Sequence, residues 1–466
     1  MAKTQNDLGR DSVGRLLFKL AVPAITAQLV NMLYNIVDRI YIGHMAGVGA
    51  TALTGVGVTF PIIMIISAFS SLIGMGGAPR ASIKMGQKRD DEAENILGNC
   101  VTGLLFISVV LTVFFFFFKE KLLLLFGASS VTLPYALGYM DIYICGTVFV
   151  QLALGLNPFI TTQGFATTGM LTVVIGAVTN IVLDPILIFG LDMGVQGAAL
   201  ATIISQAVSA VWVVWFLSSR RSKLRIRPHS LKPRAKILLP VLALGCSPFI
   251  MQATESMVSV SLNSSLQRYG GDIAVGSMAI LSSLMQVLML PLTGLTQGAQ
   301  PIIGFNYGAQ QNDRVKKAFK LLLISSMGYA VLFWGLMMLA PKPFIAIFTS
   351  DKALAAATVS ALRVYLGAGF ILGAQIACQQ TFIAVGQAKI SLFLALLRKI
   401  FLLIPLIYIM PALLSDKVFA VFFAEPVADI IATLTTVITF SVQFKKILAR
   451  NDPSLHSPKT GSQPAR

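Results

Sequence analysis

Apolar residues run along this chain in blocks too long for a soluble fold. The uncharged stretches Met45 to Pro79, Asn95 to Phe118, Ile142 to Leu183 and Ile273 to Asn312 each exceed the roughly 20 residues that cross a bilayer as α-helix. Divided at their polar and Gly/Pro interruptions, these and the shorter apolar blocks predict twelve spans, at 15–43, 51–79, 94–118, 132–156, 163–190, 195–218, 237–267, 273–304, 317–340, 356–384, 389–412 and 418–444. Short strands with alternating faces, the mark of a membrane barrel, are absent from the pattern. The predicted class is an all-α polytopic membrane protein.

Features recur along the chain at one spacing. Pro79 and Gly86 repeat at Pro301 and Gly308, an offset of 222; Gly164 and Gly386 share it, while Pro185 to Pro405 is 220 and Pro23 to Pro248 is 225. Several matches in one order favour duplication. The predicted architecture is two pseudo-symmetric six-helix lobes around a central cavity: an N-terminal lobe of residues 1–219, a basic cytoplasmic linker at 220–236, a C-terminal lobe at 237–446 and a polar, disordered cytoplasmic tail at 447–466. Six helices per repeat keep both lobes in one orientation, so they relate by an axis along the membrane normal and can rock about the cavity.

Composition agrees: 56% of residues are hydrophobic and 12% charged, with mean hydropathy +0.79. The net charge of +17 does not gather on one soluble domain, which argues against nucleic acid. Twenty-six basic residues fall on the side shared by the N-terminal arm (Lys3, Arg10, Arg15, Lys19), Arg220 to Lys236 and the tail, against six on the other side. That asymmetry places both termini in the cytoplasm of a multi-pass protein of the plasma (inner) membrane. The segment before the first span lacks a cleavage pattern and reads as a retained lead-in. Cys100, Cys145, Cys246 and Cys378 lie far apart in apolar segments and read as packing residues rather than as a metal or redox centre. His44, His229 and His456 show no HExxH and no nucleophile–base arrangement, so no enzyme, cofactor or metal enzyme is expected.

The candidate chemistry lies in the polar residues stranded within the spans. A carboxylate at bilayer depth costs about 2.5–3.5 kcal/mol and is tolerated mainly where it lines a cavity and handles ions or protons. In the first span Gln28, Asn31, Asn35 and Asp38 fall within an arc of about 80°. Arg39 points away from Asp38 on the helix and is a poor partner for it. Asn180 and Asp184 are four apart on the fifth span, just before Pro185, and Thr202, Gln206 and Ser209 stripe the sixth. Two carboxylates with amide and hydroxyl oxygens suit either Na+ or a shared proton. The candidate Na+ position is thus Asp38 with Asp184. In the seventh span Gln252, Glu255, Ser256, Ser259 and Asn263 form a stripe of about 100°. Glu255 is either a second proton site or a contact for cationic substrate. Gln375 on the tenth span, and Met285 and Met289, complete the expected substrate cavity; flexible thioethers suit promiscuous apolar recognition. Arg398 and Lys399 pair with Glu425 or Asp429, and Arg363 snorkels outward.

The stretches YNIVDRIYIG, GAPRASIKMGQ, TNIVLDPILIFG, GVQGAALAT and PIIGFNYGAQ together resemble the multidrug and toxic compound extrusion (MATE) transporters over residues 10 to 446. The resemblance implies two lobes forming a V and export of organic cations, small amphipathic molecules of diverse chemistry, in exchange for H+ or Na+ by a monomer. It carries the family's cation site onto Asp38, Asn180, Asp184 and Thr202. Glu255 matches an acidic position of some members, which also carry an acid on the tenth span that this chain lacks. The alternative is a flippase for lipid-linked oligosaccharides, which would hold pyrophosphate with cavity cations such as Arg398 and Lys399.

Overall fold

The computed structural model describes residues 6–451, among which there are helices and turns and no strand. In chain order the helices are α1 (Val13–Gly43), α2 (Gly49–Gly86), α3 (Asp90–Leu125), α4 (Leu133–Cys145), α5 (Thr147–Thr162), α6 (Ala166–Pro185), α7 (Gly194–Ser218), α8 (Ala235–Gly308), α9 (Asn312–Leu339), α10 (Pro341–Ala346), α11 (Lys352–Tyr365), α12 (Leu372–Ala384), α13 (Ala388–Leu396), α14 (Ile404–Leu413) and α15 (Lys417–Arg450). Among the described residues nine helical segments are long and apolar enough to cross a membrane, and two bent pairs, α4 with α5 (60°) and α11 with α12 (49°), raise this to eleven. The 74-residue α8 divides at Gly271, whose φ of 61° and ψ of −157° are not helical. One span lies on each side of it, so the described helices make twelve.

Several predicted boundaries move. The break between the seventh and eighth spans falls at Gly271, within the predicted 268–272, while the fourth span is bent at Gly146. A Cβ at Gly146 would overlap the Ile203 side chain of α7, so the chain turns where only glycine fits. The eleventh span joins α13 to α14 through a π turn, Leu397–Leu403. Helix α15 continues to Arg450, so residues 447–450 of the predicted tail are helical. Lys3 and residues 452–466, with His456, lie outside the described residues.

The duplication is visible in the backbone. Helix α2 ends with Lys88 in the left-handed region (φ 60°) and α8 ends with Gln310 there (φ 59°). Matching hydrogen bonds close both turns, Arg89 N–H to Lys84 O and Gln311 N–H to Asn306 O, each 2.9 Å. Gly164 (φ 89°) and Gly386 (φ 76°) turn the chain at the other recurring position, where glycine adopts positive φ without a Cβ penalty.

Packing joins the halves at one end only. At the start of α1, Val13, Leu16, Leu17, Leu20 and Ala21 are buried with Ile302, Ile303 and Val315 of the second half, while Val241 near the start of α8 is buried with Ile73, Leu97 and Val213 of the first. Glycines allow the close approach. A Cβ on Gly76 would overlap the Val241 carbonyl, one on Gly245 the Leu72 carbonyl, one on Gly86 the Phe305 carbonyl and one on Gly308 the Ile83 carbonyl. Ser82 Oγ donates to the Pro301 carbonyl (3.2 Å) along the same seam. Further along these helices Asn31, Asn35, Glu255 and Ser259 are exposed. Two halves that are packed at one end and apart at the other form a V.

Two polar segments seal the packed end. Asn6 donates to Gly164 O (3.2 Å) of the first half, while the Leu8 carbonyl accepts from Asn306 (2.9 Å) and Arg314 (3.0 Å) of the second, and the Asp11 carbonyl from Arg314 (2.7 Å). Residues 220–236, the predicted basic linker, are fastened to α3. Glu94 receives the Arg225 amide (3.2 Å) and the Arg227 guanidinium (3.1 Å), and Asn99 bridges Ser230 O (3.2 Å) and Arg234 N–H (2.7 Å).

Candidate cation and substrate sites

The first-half acids lie within electrostatic range of each other where α1, α6 and α7 pack together. Pro185 has no N–H for the Ile181 carbonyl, and α6 passes into a π turn, Ile186–Gly190, a form that often marks functional sites. Just before it, Asp184 is fully buried and Asn180 is 1% exposed. Asn180 Nδ2 donates to Asp184 Oδ1 (3.3 Å) and reaches Thr202 Oγ1 (3.5 Å). Thr202 gives its own proton to the Ala198 carbonyl (3.0 Å). Its oxygen therefore faces the pocket as an acceptor.

Donors run short here. Asp38 Oδ1, Asn180 Oδ1 and Asp184 Oδ2 are each buried without a hydrogen-bond partner, and Asp38 and Asp184 lie within electrostatic range of each other. An unmatched buried acceptor costs about 1–3 kcal/mol, more when charged. Arg39 makes no salt bridge with Asp38; its guanidinium lies 5.7 Å from the centre of the Phe60 ring. What the cluster lacks is a proton or a small cation.

Next to this group lies a small cavity of about 50 Å³, lined by Asn31, Tyr34, Asn157, Asn180, Thr202 and Gln206 among others. Two phenols escaped the sequence reading. Tyr34 lies within range of both Asp38 and Asp184, and Tyr139 lies within range of Asp38. Tyr34 was detectable, being four residues before Asp38 on one helix face. Tyr139 belongs to a distant span and enters only through the fold.

The remaining predicted residues do not join this pocket as one site. Gln28 donates to Gln297 Oε1 (3.2 Å), tying α1 to α8, and Asn35 donates to the Asn31 carbonyl (2.6 Å). Gln252 accepts from Ser71 Oγ (2.9 Å) of α2. Ser259 is exposed, Met285 and Met289 are half-buried, and Met285 packs on the second-half core. Gln375 is 3% exposed with Oε1 unpartnered. Among the described residues no three His, Cys, Asp or Glu side chains converge to hold a metal ion.

A second charged group occupies the other half. Arg398 grips Asp429 (2.7 Å) and Glu425 (3.3 Å), as the sequence suggested. Lys399 corrects the sequence reading: its ammonium pairs with Glu255 (2.9 Å) rather than with either of these acids.

The sequence model of the MatE family matches residues 23–186 and 248–409. The chain is 24% identical over 423 residues to the multidrug export protein MepA of Staphylococcus haemolyticus, covering 90% of this chain and 92% of that one, and 25% identical over 427 residues to MepA of Staphylococcus saprophyticus, covering 91% and 94%. Among solved structures it superposes on the MATE multidrug transporter DinF-BH with TM-score 0.87 and 34% identity, over 95% of this chain and 98% of that one. It also superposes on an outward-facing multidrug resistance MATE family transporter with TM-score 0.87 and 22% identity, over 96% and 99%. Matched along both of its halves and across nearly its whole length, the chain belongs to the MATE family.

Proposed function

We propose that this protein is a multidrug exporter that exchanges a monovalent cation, H+ in preference to Na+, for small amphipathic organic molecules by alternating access. The observation that carries the reading is the trio of buried, partnerless acceptors, Asp38 Oδ1, Asn180 Oδ1 and Asp184 Oδ2, beside a cavity. A proton supplies the missing donor directly and relieves the repulsion between two like-charged groups. Only two carboxylates meet there, which favours a proton over a fully coordinated metal ion. The names of the MepA relatives support multidrug export.

With both termini cytoplasmic, the packed end is the cytoplasmic end and the V opens outward. A cation entering from outside neutralises the first-half acids and triggers reclosure, and its release inside resets them. One charge moving inward across about 100 mV releases about 2.3 kcal/mol, roughly a fiftyfold gradient for a neutral substrate. A flippase reading loses its footing because Arg398 and Lys399, the cations it would use, are held by acids.

Ethidium efflux from cells or inside-out vesicles, with the pH and Na+ gradients collapsed separately, tests the reading. Loss on collapse of the pH gradient alone is expected. Asp38→Asn is expected to abolish efflux while the protein remains folded in the membrane; wild-type efflux in that variant rejects the mechanism.

A further inference from the structure

The second-half charged group contains three acids, Glu255, Glu425 and Asp429, and two bases, Arg398 and Lys399. With all three acids ionised, one positive charge is missing. The deficit has a location, because Glu425 is 4% exposed and its Oε2 is buried with no hydrogen-bond partner, while Oε1 alone meets Arg398 (3.3 Å). Lys399 lies within electrostatic range of Glu425 yet spends its ammonium on Glu255 (2.9 Å). The two members of that pair differ in access: the Lys399 side chain is 9% exposed and that of Glu255 63%. Lys399 thus reaches from the packed interior to a carboxylate on the open face of the V. It sits on the π turn Leu397–Leu403, next to Arg398.

We propose that Lys399 is a tethered, displaceable counter-ion, and that the positively charged group of a substrate binds at Glu255 by taking its place. The inference deepens the export reading above and rests on it. In the empty protein the ammonium of Lys399 keeps Glu255 from standing alone. An organic cation arriving on the open face pairs with Glu255, and the released ammonium swings inward to the vacant oxygen of Glu425. The group then holds three positive and three negative charges. Binding is favourable because the incoming charge completes a network that is one short, whereas an uncharged molecule leaves the deficit as it was. Binding is also coupled to the wall: exchange moves Lys399 between α8 and α15, so occupancy is felt by both.

Ethidium, a monocation, is the probe, and its binding to the full chain in nanodiscs is followed by fluorescence anisotropy without any ion gradient. Affinity is expected to follow the net charge of the group. Lys399→Gln removes the resident competitor and tightens binding at least fivefold; Glu255→Gln weakens it at least tenfold. Glu425→Gln removes the refuge for the displaced ammonium and weakens binding severalfold, although Glu425 is buried away from the ligand. The last outcome separates exchange from simple contact with Glu255. Unchanged or weaker binding in a monodisperse Lys399→Gln variant overturns the proposal. Should that variant fail to fold, unaltered binding in Glu425→Gln overturns it independently. If the wild type binds no ethidium, the export reading falls as well; if it binds and the variants match it, only this inference falls.

Discussion

Alanine at position 245 offers a direct measure of how the halves close. Gly245 lies on α8 where a Cβ would overlap the Leu72 carbonyl and crowd Leu72 Cα at 3.0 Å. Both obstacles are backbone of a long helix and cannot rotate aside. Overpacking of this kind costs about 1–3 kcal/mol. Here the strain exists only while α2 and α8 are in contact, so it bears on the closed end and not on the separated state. A penalty of about 2 kcal/mol multiplies the population open at that end about thirtyfold. The reporter is Ser82→Cys in a background lacking Cys100, Cys145, Cys246 and Cys378, because Ser82 is fully buried in the seam. Maleimide labelling in membranes is expected to accelerate about thirtyfold in Gly245→Ala. Gly328→Ala serves as control, since a Cβ there meets nothing within 4 Å. Equal labelling rates in Gly245→Ala and the control refute the idea that these glycines set the closed state.

Two further outcomes follow from the ionic contacts. Arg398→Ala strands Glu425 and Asp429, which are 4% and 2% exposed, and is expected to destabilise the protein by about 3–5 kcal/mol; thermal unfolding in detergent checks this, and adding Glu425→Gln with Asp429→Asn restores part of the loss. Glu94→Ala removes the acceptor of the Arg225 amide and is expected to cost about 1–3 kcal/mol, with little of it due to the half-exposed Arg227; trypsin is expected to cut residues 220–236 faster, and an unchanged digestion rate counts against the fastening of this segment.

Much of this was legible in the sequence, for physical reasons. Hydrophobic length fixes the spans because the bilayer imposes it, and the repeat shows through Pro79, Gly86, Pro301 and Gly308 because helix ends and close packing tolerate few residues there. Asp184 with Asn180 could be read because one helix carries both at a spacing of four. Lys399 could not: its neighbours in sequence favoured Glu425 and Asp429, and only the fold brings Glu255, 144 positions earlier, within 2.9 Å. The break between the seventh and eighth spans was legible as well: the interruption predicted at 268–272 contains Gly271, whose φ of 61° and ψ of −157° are not helical.

The lacing of residues 6–12 bears on how the protein is made. Leu8 leaves the ribosome well before its partners, since Asn306 comes 298 positions later and Arg314 306 positions later. At typical synthesis rates of about 5–20 residues per second the arm waits roughly 15–60 s for either. During that interval nothing in the second half can hold it, so docking of the arm coincides with the arrival of α9 and marks the moment at which a nascent chain can first seal its packed end.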